Sequence, residues 1–233
     1  MIKFENTEVL GWEAAIRGMR NPMNSWEKSD SFLCREVEDG TCPEDCSFRG
    51  KCPIYGTEDF FVIGDNDYTL MKNLRNAGTD HRKFMRMITV YLDITAPLYW
   101  WKEFDTYKVG TVANSCSTMH KIHAKEFTLE DFSTEHLYPE VREAFENTII
   151  KYLNEARKTY NFLSDTPSKK DAWWQMIQLL PSSYNQKRTV MLNYEVLANI
   201  YKSRRNHKLD EWHTFCDWIE ELPYSELITG EKK

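Results

Sequence analysis

A polar run between Thr106 and Thr118 carries the side chains best suited to ligand chemistry. Its sequence, TYKVGTVANSCST, combines hydroxyl and amide groups with Lys108, and it has no acid after Asp105. Donors of this kind are typical of a lining for an anionic ligand. A polar edge strand would have the same composition, so both interpretations stay open. Cys116 within the run is a weaker candidate for a nucleophile, because no histidine is identified as its partner.

Four of the six cysteines lie close together in the first quarter of the chain and are enough for a tetrahedral metal site. These predicted metal ligands are Cys34, Cys42, Cys46 and Cys52. No Cys-x2-Cys pair occurs among them, so a structural zinc ion and an iron–sulfur cluster are both open. Unligated cysteines in a loop are the alternative. A disulfide is less expected, because the chain is predicted to be cytoplasmic.

The composition argues against several classes of protein. The 36 acidic and 30 basic residues give a net charge of −6, and no block of lysine or arginine stands out. A general nucleic-acid surface is therefore not expected. The N-terminus lacks an apolar signal core, and no stretch reaches the length of a membrane span. We therefore expect a cytoplasmic protein, long enough at 233 residues for a sizeable core.

The polar run follows a predicted strand and a short predicted helix. In the strand, Val90, Leu92 and Ile94 alternate with their neighbours and face one side. Pro97 ends the strand because it lacks the N–H that a ladder needs, and it suits the start of a helix. The aromatic-rich segment 98–104 is predicted to be that helix.

Helices predominate in the rest of the chain. The pattern predicts strands at 2–10 and 187–192 and helices at 12–20, 67–77, 139–163, 167–180, 193–204 and 209–222. Asp67 is the expected N-cap of the second helix, and the helix at 139–163 is long and amphipathic. We predict an α+β fold with a small central antiparallel or mixed sheet wrapped by helices. It forms a single domain over 1–233 with a cysteine-rich insertion at about 24–58.

A series of short motifs follows the order and approximate spacing of one known family. From residue 10 to about 220, the chain resembles the flavin-dependent thymidylate synthases (ThyX). The motifs that carry the resemblance are Ala15-Ile16-Arg17, Asn76-Ala77-Gly78 with His81, Ala96-Pro97, Leu179-Leu180-Pro181, Thr189–Asn193, Ser203-Arg204 and Asp210-Glu211-Trp212. The resemblance implies a ThyX-like α+β fold for most of the chain.

Members of this family methylate dUMP reductively with FAD, NADPH and methylene-tetrahydrofolate, in a homotetramer whose active sites lie between subunits. The resemblance implies the same cofactor, a pyrimidine nucleotide as substrate, and a homo-oligomer. The residues implied for cofactor binding are His81, Lys108, Thr111, Asn114, Ser115 and Asn193. The residues implied for substrate binding are Arg17, Ser117, His120 and Arg204. A structural alternative for Arg204 is a cap or an ion pair at the end of its helix.

The family's signature motif is degenerate in this chain. After the alanine-proline the family has Arg-His-Arg, then Ser, Asn-Glu, Ser and Arg at fixed intervals. The corresponding positions here hold Thr106-Tyr107-Lys108, Thr111, Ala113-Asn114, Cys116 and Thr118. A lysine does not replace paired guanidiniums, which bind phosphate bidentately. The arginine expected two residues after Asn193 is Glu195.

These features support three functional hypotheses. The first is a FAD-dependent thymidylate synthase-like enzyme that acts on dUMP or a related pyrimidine nucleotide. The second is a catalytically altered protein of the same fold that binds a nucleotide or a partner without methylation. The third is a metal-stabilised interaction module centred on residues 34–53. The resemblance favours the first hypothesis.

Overall fold

The computed structural model describes residues 2–35 and 59–230 of the chain. The strands are β1 (Lys3–Leu10), β2 (Phe32–Arg35), β3 (Asp59–Val62), β4 (Thr89–Pro97), β5 (Val112–Ser115) and β6 (Asn185–Asn193). The helices are α1 (Trp12–Arg20), α2 (Asp65–Asn76), α3 (Leu98–Phe104), α4 (Pro139–Phe145), α5 (Lys151–Phe162), α6 (Pro167–Leu179), α7 (Tyr194–Arg204), α8 (Asp210–Glu220) and α9 (Glu226–Thr229). The predicted α+β class is therefore confirmed. Within the described ranges, no helix combines the length and the apolar character needed to span a bilayer.

Strands β1, β4, β6 and β5 form one antiparallel sheet in that order. At one end of the β4–β6 pair, the Tyr194 N–H donates to the Ile88 carbonyl (3.1 Å). At the other end, the Leu98 N–H donates to the Tyr184 carbonyl (3.0 Å). The chain therefore runs from 88 to 98 beside a segment that runs from 194 back to 184, so the two strands are antiparallel. The short strand β5 lies at an edge of this sheet.

The predicted strand and helix before the polar run are both confirmed. Val90, Leu92 and Ile94 on β4 are buried, as the alternation predicts, whereas Tyr91 between them is exposed. The strand ends at Pro97 and α3 begins at the next residue. Trp100, Trp101 and Phe104 of α3 are buried, which fixes the start of the polar run.

The described chain forms two compact units. Unit 1 contains 2–6, 92–108 and 113–190, and unit 2 contains 7–35, 59–91, 109–112 and 191–230. The core cluster of unit 1 consists of Ile122, Phe127, Phe132, Ile150, Leu153 and Met176. Large buried side chains of unit 2 are Trp12, Tyr194, Trp212 and Phe215. The prediction of a single domain over 1–233 stays a prediction.

The long amphipathic helix predicted at 139–163 has one irregularity. Helices α4 and α5 are joined by a π-helical segment, Glu146–Ile150, and the backbone stays helical through both junctions. Ile150 and Leu153 face the core of unit 1, whereas Val141 near the start is exposed. The extra residue of a π segment shifts the buried face between the two halves of the helix.

The prediction that Asp67 caps its helix is wrong. Helix α2 begins two residues earlier, at Asp65, and Gly64 is its N-cap. The carboxylate of Asp30 accepts from the backbone N–H groups of Asn66 (2.9 Å) and Asp67 (3.1 Å). A carboxylate from a distant part of the sequence therefore does the work of a local cap.

Asp67 and Arg20 are instead buried and form a cluster with Ser29 and Ser31, named here the Arg20–Asp67 cluster. Its carboxylate accepts from Arg20 Nε and from the Ser29 and Ser31 hydroxyls, each at 2.6 Å. Burial by itself would raise the pKa of Asp67, but the two hydroxyls and the guanidinium outweigh it and lower that pKa. Arg20 also donates to the Lys28 carbonyl (3.1 Å). The cluster thus links the segment 28–31, just before β2, to Arg20 on α1 and to Asp67 on α2.

Strands β2 and β3 pair antiparallel, from Phe32 opposite Val62 to Arg35 opposite Asp59. The loop-rich insertion predicted at about 24–58 therefore contains one strand and a 3-10 turn at Trp26–Lys28 in its described part. The remainder of that insertion lies outside the described residues.

Candidate functional site

The polar run continues from α3 into the edge strand β5. All four residues of β5 are exposed, and so is Lys108 before it. The edge-strand interpretation therefore holds for Val112–Ser115. Asn114 and Ser115, two of the predicted cofactor-binding residues, lie on this strand and are open to solvent. The polar run thus contains an edge strand with exposed hydrogen-bond donors, so the edge-strand interpretation does not exclude a ligand-binding lining.

The segment after β5 is fixed by hydrogen bonds on both sides. The Cys116 N–H donates to the Lys187 carbonyl (2.9 Å), and the Cys116 carbonyl accepts from Gln186 Nε2 (2.8 Å). The Ser117 hydroxyl oxygen accepts from the backbone N–H groups of His120 (3.0 Å) and Met119 (3.1 Å). Two accepted bonds leave the hydrogen of this hydroxyl to donate to a ligand.

Gln186 on β6 organises this end of the sheet. The residue is 7% exposed, its Oε1 accepts from Arg188 Nε (3.0 Å), and its carbonyl accepts from Trp101 Nε1 (2.9 Å). The Arg188 guanidinium lies 4.2 Å from the Trp101 ring centroid and pairs with Asp105 (2.8 Å). Both ends of the Gln186 amide are therefore engaged, which holds the Cys116 carbonyl in one position.

Cys116 and Ser117 form part of the wall of a cavity of about 1070 Å³ in unit 1. Other side chains of this wall are Lys125, Asp131, Tyr184, Asn185, Gln186 and Lys187. We name it the Ser117 cavity. Its lining mixes charged, neutral polar and aromatic groups, which suits a polar ligand with a flat part.

Two lysines of the Ser117 cavity lie in ion pairs. Lys125 Nζ lies 2.5 Å from Asp131 Oδ1. Lys187 Nζ lies 3.0 Å from Glu5 Oε2, and this contact raises the pKa of Lys187. Burial, together with Asp131, raises the pKa of the Tyr184 hydroxyl, so this group stays protonated and can donate. The wall of the cavity therefore contains both ion-paired lysines and a neutral hydroxyl donor.

Thr111 and Asn193, two further predicted cofactor-binding residues, lie in unit 2. Asn193 caps α7, because its Oδ1 accepts from the Val196 N–H (3.0 Å). Gly110 has φ +78°, and a Cβ added there would lie 2.9 Å from Asn193 Nδ2, so a side chain would be strained. The Thr111 hydroxyl is buried and has no hydrogen-bond partner in the described part of the chain. Such a hydroxyl can bond to a ligand oxygen.

Two solved structures of ThyX from Helicobacter pylori, each with FAD and dUMP, match the chain over nearly its whole length. One has a TM-score of 0.64 at 15% identity and covers 98% of this chain and 97% of its own. The other has a TM-score of 0.65 at 17% identity and covers 99% and 100%. This chain has the ThyX fold. No protein-family model and no curated protein matches the sequence.

The resemblance predicted from the short motifs is thus confirmed at the level of the ThyX fold. The ThyX-like position two residues after Asn193 holds an ion-paired acid. Glu195 Oε1 accepts from Arg82 Nη2 (3.0 Å), and Glu195 Oε2 lies 2.8 Å from Arg82 Nε. Both side chains are largely buried. A buried ion pair needs both partners, so this arginine and this acid depend on each other.

The other predicted residues of unit 2 lie in different surroundings. Arg17 lines a separate cavity of about 660 Å³ beside Trp26, and its side chain is 65% exposed. His81 is exposed just after α2. The Arg204 guanidinium lies 4.9 Å from the Trp212 ring centroid, so it has a packing role at the end of α7.

The structure brings some predicted residues together within each unit. In unit 1, Ser117 and His120 share one hydrogen-bonded turn. In unit 2, Gly110, the residue before Thr111, lies against the Asn193 side chain. The ligand-binding roles of all ten predicted residues stay predictions.

The predicted metal site falls mostly outside the described residues. Cys42, Cys46 and Cys52 lie beyond them, and the structure describes only the backbone of Cys34, within β2. In the described ranges, no group of three or more His, Cys, Asp or Glu residues is arranged to hold a metal ion. The four-cysteine site stays a prediction.

Sequence reasoning missed the residues that position the site. Gln186, Arg188, Tyr184 and Asp105 were not predicted, nor was Arg82. The available signal was the unusually polar start of β6, where Tyr184-Asn185-Gln186-Lys187-Arg188 comes two residues after the leucine-proline motif. A buried strand rarely begins with so many polar groups unless they have partners.

Proposed function

We propose that this chain is a FAD-dependent, thymidylate synthase-like enzyme that acts on dUMP or a related pyrimidine nucleotide, by reductive methylation or a variant of it. The ThyX fold over nearly the whole chain carries the proposal, since the two similar structures hold FAD and dUMP. A fold by itself does not fix a reaction. Polar groups near the predicted positions provide further support.

The Ser117 cavity supports the binding of a nucleotide. Its volume of about 1070 Å³ is ample for a mononucleotide. Ser117 and Tyr184 each offer a hydroxyl that can donate, and Asn185 offers both a donor and an acceptor. A uracil ring has two carbonyl acceptors and one N–H donor, so its polar edge complements this set.

The Thr111 hydroxyl next to Gly110 can donate to a phosphate of FAD, because it lacks a partner among the described residues. The exposed Lys108 of unit 1 is, by the resemblance, a further residue for binding phosphate. An ammonium holds phosphate as a point charge and lacks the planar fork of arginine, so we expect weaker binding than a guanidinium pair would give. Bound FAD would supply the hydride, with NADPH and methylene-tetrahydrofolate as co-substrates.

One observation favours a second candidate function. Glu195 stands where the ThyX resemblance expects an arginine, and Arg82 holds its charge in place. An acid at this position repels an anionic ligand. The second candidate is therefore a ThyX-fold protein that binds a nucleotide or a partner without methylation.

An anaerobic absorption titration separates the two candidates. FAD and then dUMP are added to the purified protein, and the flavin bands are followed. NADPH and methylene-tetrahydrofolate are added next, and dTMP is measured. If the chain is the proposed enzyme, the flavin bands should shift when dUMP is added. Oxidation of NADPH should then yield dTMP. Ligand binding without dTMP supports the second candidate, and unchanged bands with no dUMP binding contradict the enzyme.

A pair of serine variants tests the position of the nucleotide. Ser117→Ala removes the hydroxyl at the cavity, and we expect dUMP to bind about three- to tenfold more weakly, the value of one hydrogen bond. Ser203→Ala removes an exposed hydroxyl on α7, outside the cavity lining, and should leave the affinity unchanged. Equal effects in the two variants would place the nucleotide elsewhere.

The proposal extends to assembly and to the cysteines. We expect a homotetramer, so light scattering in solution should give four times the 27.7 kDa of one chain, and a monomeric mass would contradict it. Cys34, Cys42, Cys46 and Cys52 are proposed to bind zinc or an iron–sulfur cluster. Elemental analysis of the purified protein distinguishes these, and protein free of both elements contradicts the metal site.

A further inference from the structure

A further cavity in unit 2 is lined by charged side chains of one sign. It measures about 440 Å³, and its charged lining residues are Arg75, Arg82, Lys202 and Arg205. No carboxylate belongs to its described lining. We name it the cationic cavity. Four cations around one small volume stand out in a chain whose net charge is −6.

Nearby acids neutralise part of this charge. Glu195 pairs with Arg82 from behind the lining. Glu220 lies 4.0 Å from Arg205, and it also accepts a hydrogen bond from the Tyr201 hydroxyl (2.5 Å). Among the described residues, no acid pairs with Lys202 in the same way.

Helix ends neutralise a further part. The C-terminal turns of α2 and α7 adjoin the cavity, and each carries roughly half a negative charge. The single-turn helix α9 also ends there, but Arg75 already donates to its Leu227 (3.3 Å) and Ile228 (3.4 Å) carbonyls. These helix ends weaken the positive charge of the lining, and the exposed Lys202 and Arg205 remain accessible to an anion.

The cations are partly pre-positioned. Arg75 is held by the α9 carbonyls and by Asn76 Oδ1 (3.0 Å), and Arg82 is held by Glu195. Lys202 and Arg205 are exposed at the rim. Neutral polar side chains, among them Thr79 and Asn199, complete the lining. Fixed guanidiniums with flexible cations and amide donors are a combination that binds phosphoryl oxygens.

We propose that the cationic cavity binds a phosphoryl group of a small ligand. This inference rests on the charges of unit 2 and goes beyond the proposed reaction. A cavity of this volume holds a diphosphate with part of an attached group. The ligand should bind more weakly as salt is added, because exposed charges are screened.

Isothermal titration of the full chain at low ionic strength tests the inference. Inorganic pyrophosphate is the probe, and ADP, FAD and dUMP are compared with it. Wild-type protein should bind pyrophosphate. Lys202→Gln and Arg205→Gln should each weaken it about five- to tenfold, the value of one charge-assisted contact. Lys208→Gln is the matched control, since Lys208 is exposed nearby but outside the lining, and its effect should stay below about twofold.

A variant that is expected to strengthen pyrophosphate binding provides a second test. Glu195→Gln removes the acid behind Arg82 and should strengthen pyrophosphate binding, provided that circular dichroism shows a folded protein. If this variant does not fold, the comparison of Lys202→Gln with Lys208→Gln decides alone. No pyrophosphate binding, or an equal loss in the two lysine variants, would overturn the inference. If the protein binds pyrophosphate but neither FAD nor dUMP, the cationic cavity is supported and the proposed reaction is not.

Discussion

Arginines occur in two opposite situations within unit 2. In the Arg20–Asp67 cluster, the guanidinium and the carboxylate are buried, with 5% and 0% of their side chains exposed, and other groups of the chain complete their hydrogen bonds. In the cationic cavity, Lys202 and Arg205 are exposed at the rim, and the described lining contains no carboxylate.

The presence or absence of partners within the chain distinguishes a charge that stabilises the fold from a charge that is available to a ligand. A buried ion whose partners all come from the same chain stabilises one arrangement of that chain and leaves nothing for a ligand. A group of like charges beside open volume gains from an added counter-ion. Removal of a charge should therefore destabilise the protein in the first region and weaken ligand binding in the second.

The largest effect is expected from Asp67→Asn. The variant leaves the Arg20 guanidinium buried without its counter-charge, so the free energy of unfolding should fall by about 3–5 kcal/mol. Urea denaturation followed by circular dichroism measures it. Asp65→Asn, an exposed acid in the first turn of the same helix, should lose no more than about 1 kcal/mol. Equal losses would mean that the cluster is no different from a surface charge.

The same cluster predicts a dependence on pH. The pKa of Asp67 in the folded protein is lowered from its ordinary value of 3.8, so the ionised carboxylate stabilises the fold above that pH. Its contribution is lost as the pH falls below 3.8 through the lowered pKa. The difference in unfolding free energy between wild type and Asp67→Asn should therefore be constant near neutral pH and shrink in acid. Urea denaturation at a series of pH values checks this, and a difference that grows in acid would contradict it.

Gln186 provides an intermediate case, a buried polar group without charge. Gln186→Leu leaves the Cys116 carbonyl and Arg188 Nε without this partner, so unfolding free energy should fall by about 1–3 kcal/mol. Binding of dUMP should weaken as well, because the wall beside Ser117 loses its fixed position. Gln175→Leu on the exposed face of α6 should change stability by less than about 0.5 kcal/mol. A dUMP affinity that is unchanged in Gln186→Leu would separate this network from the ligand.

The smallest effect is expected from Lys202→Gln on stability. Removal of one of several like charges relieves repulsion, so at low ionic strength and without phosphate the protein should be unchanged or more stable by a few tenths of a kcal/mol. Thermal unfolding with and without pyrophosphate measures this. The variant should also lose most of the stabilisation that pyrophosphate gives to wild type. A clear destabilisation without phosphate would make Lys202 a structural charge like Arg20.

Local patterns were enough to predict the elements that lead to the site. The alternation of Val90, Leu92 and Ile94 and the missing N–H of Pro97 act over a few residues, and they predicted β4 and the start of α3 correctly. The order of the short motifs was enough to predict the ThyX fold. The same local reasoning failed at Asp67, where the pattern of a cap was present but Asp30 took that role.

The sequence by itself determined the α+β class, the main elements and the resemblance, because periodicity, proline and motif spacing are properties of neighbouring residues. Only the tertiary structure decided which charges are satisfied. Arg20 and Asp67 are 47 positions apart, and Arg82 and Glu195 are 113 apart. No local pattern states which distant partner a charged side chain meets. The same holds for the cationic cavity, where four cations from distant parts of the chain look like ordinary surface residues in the sequence.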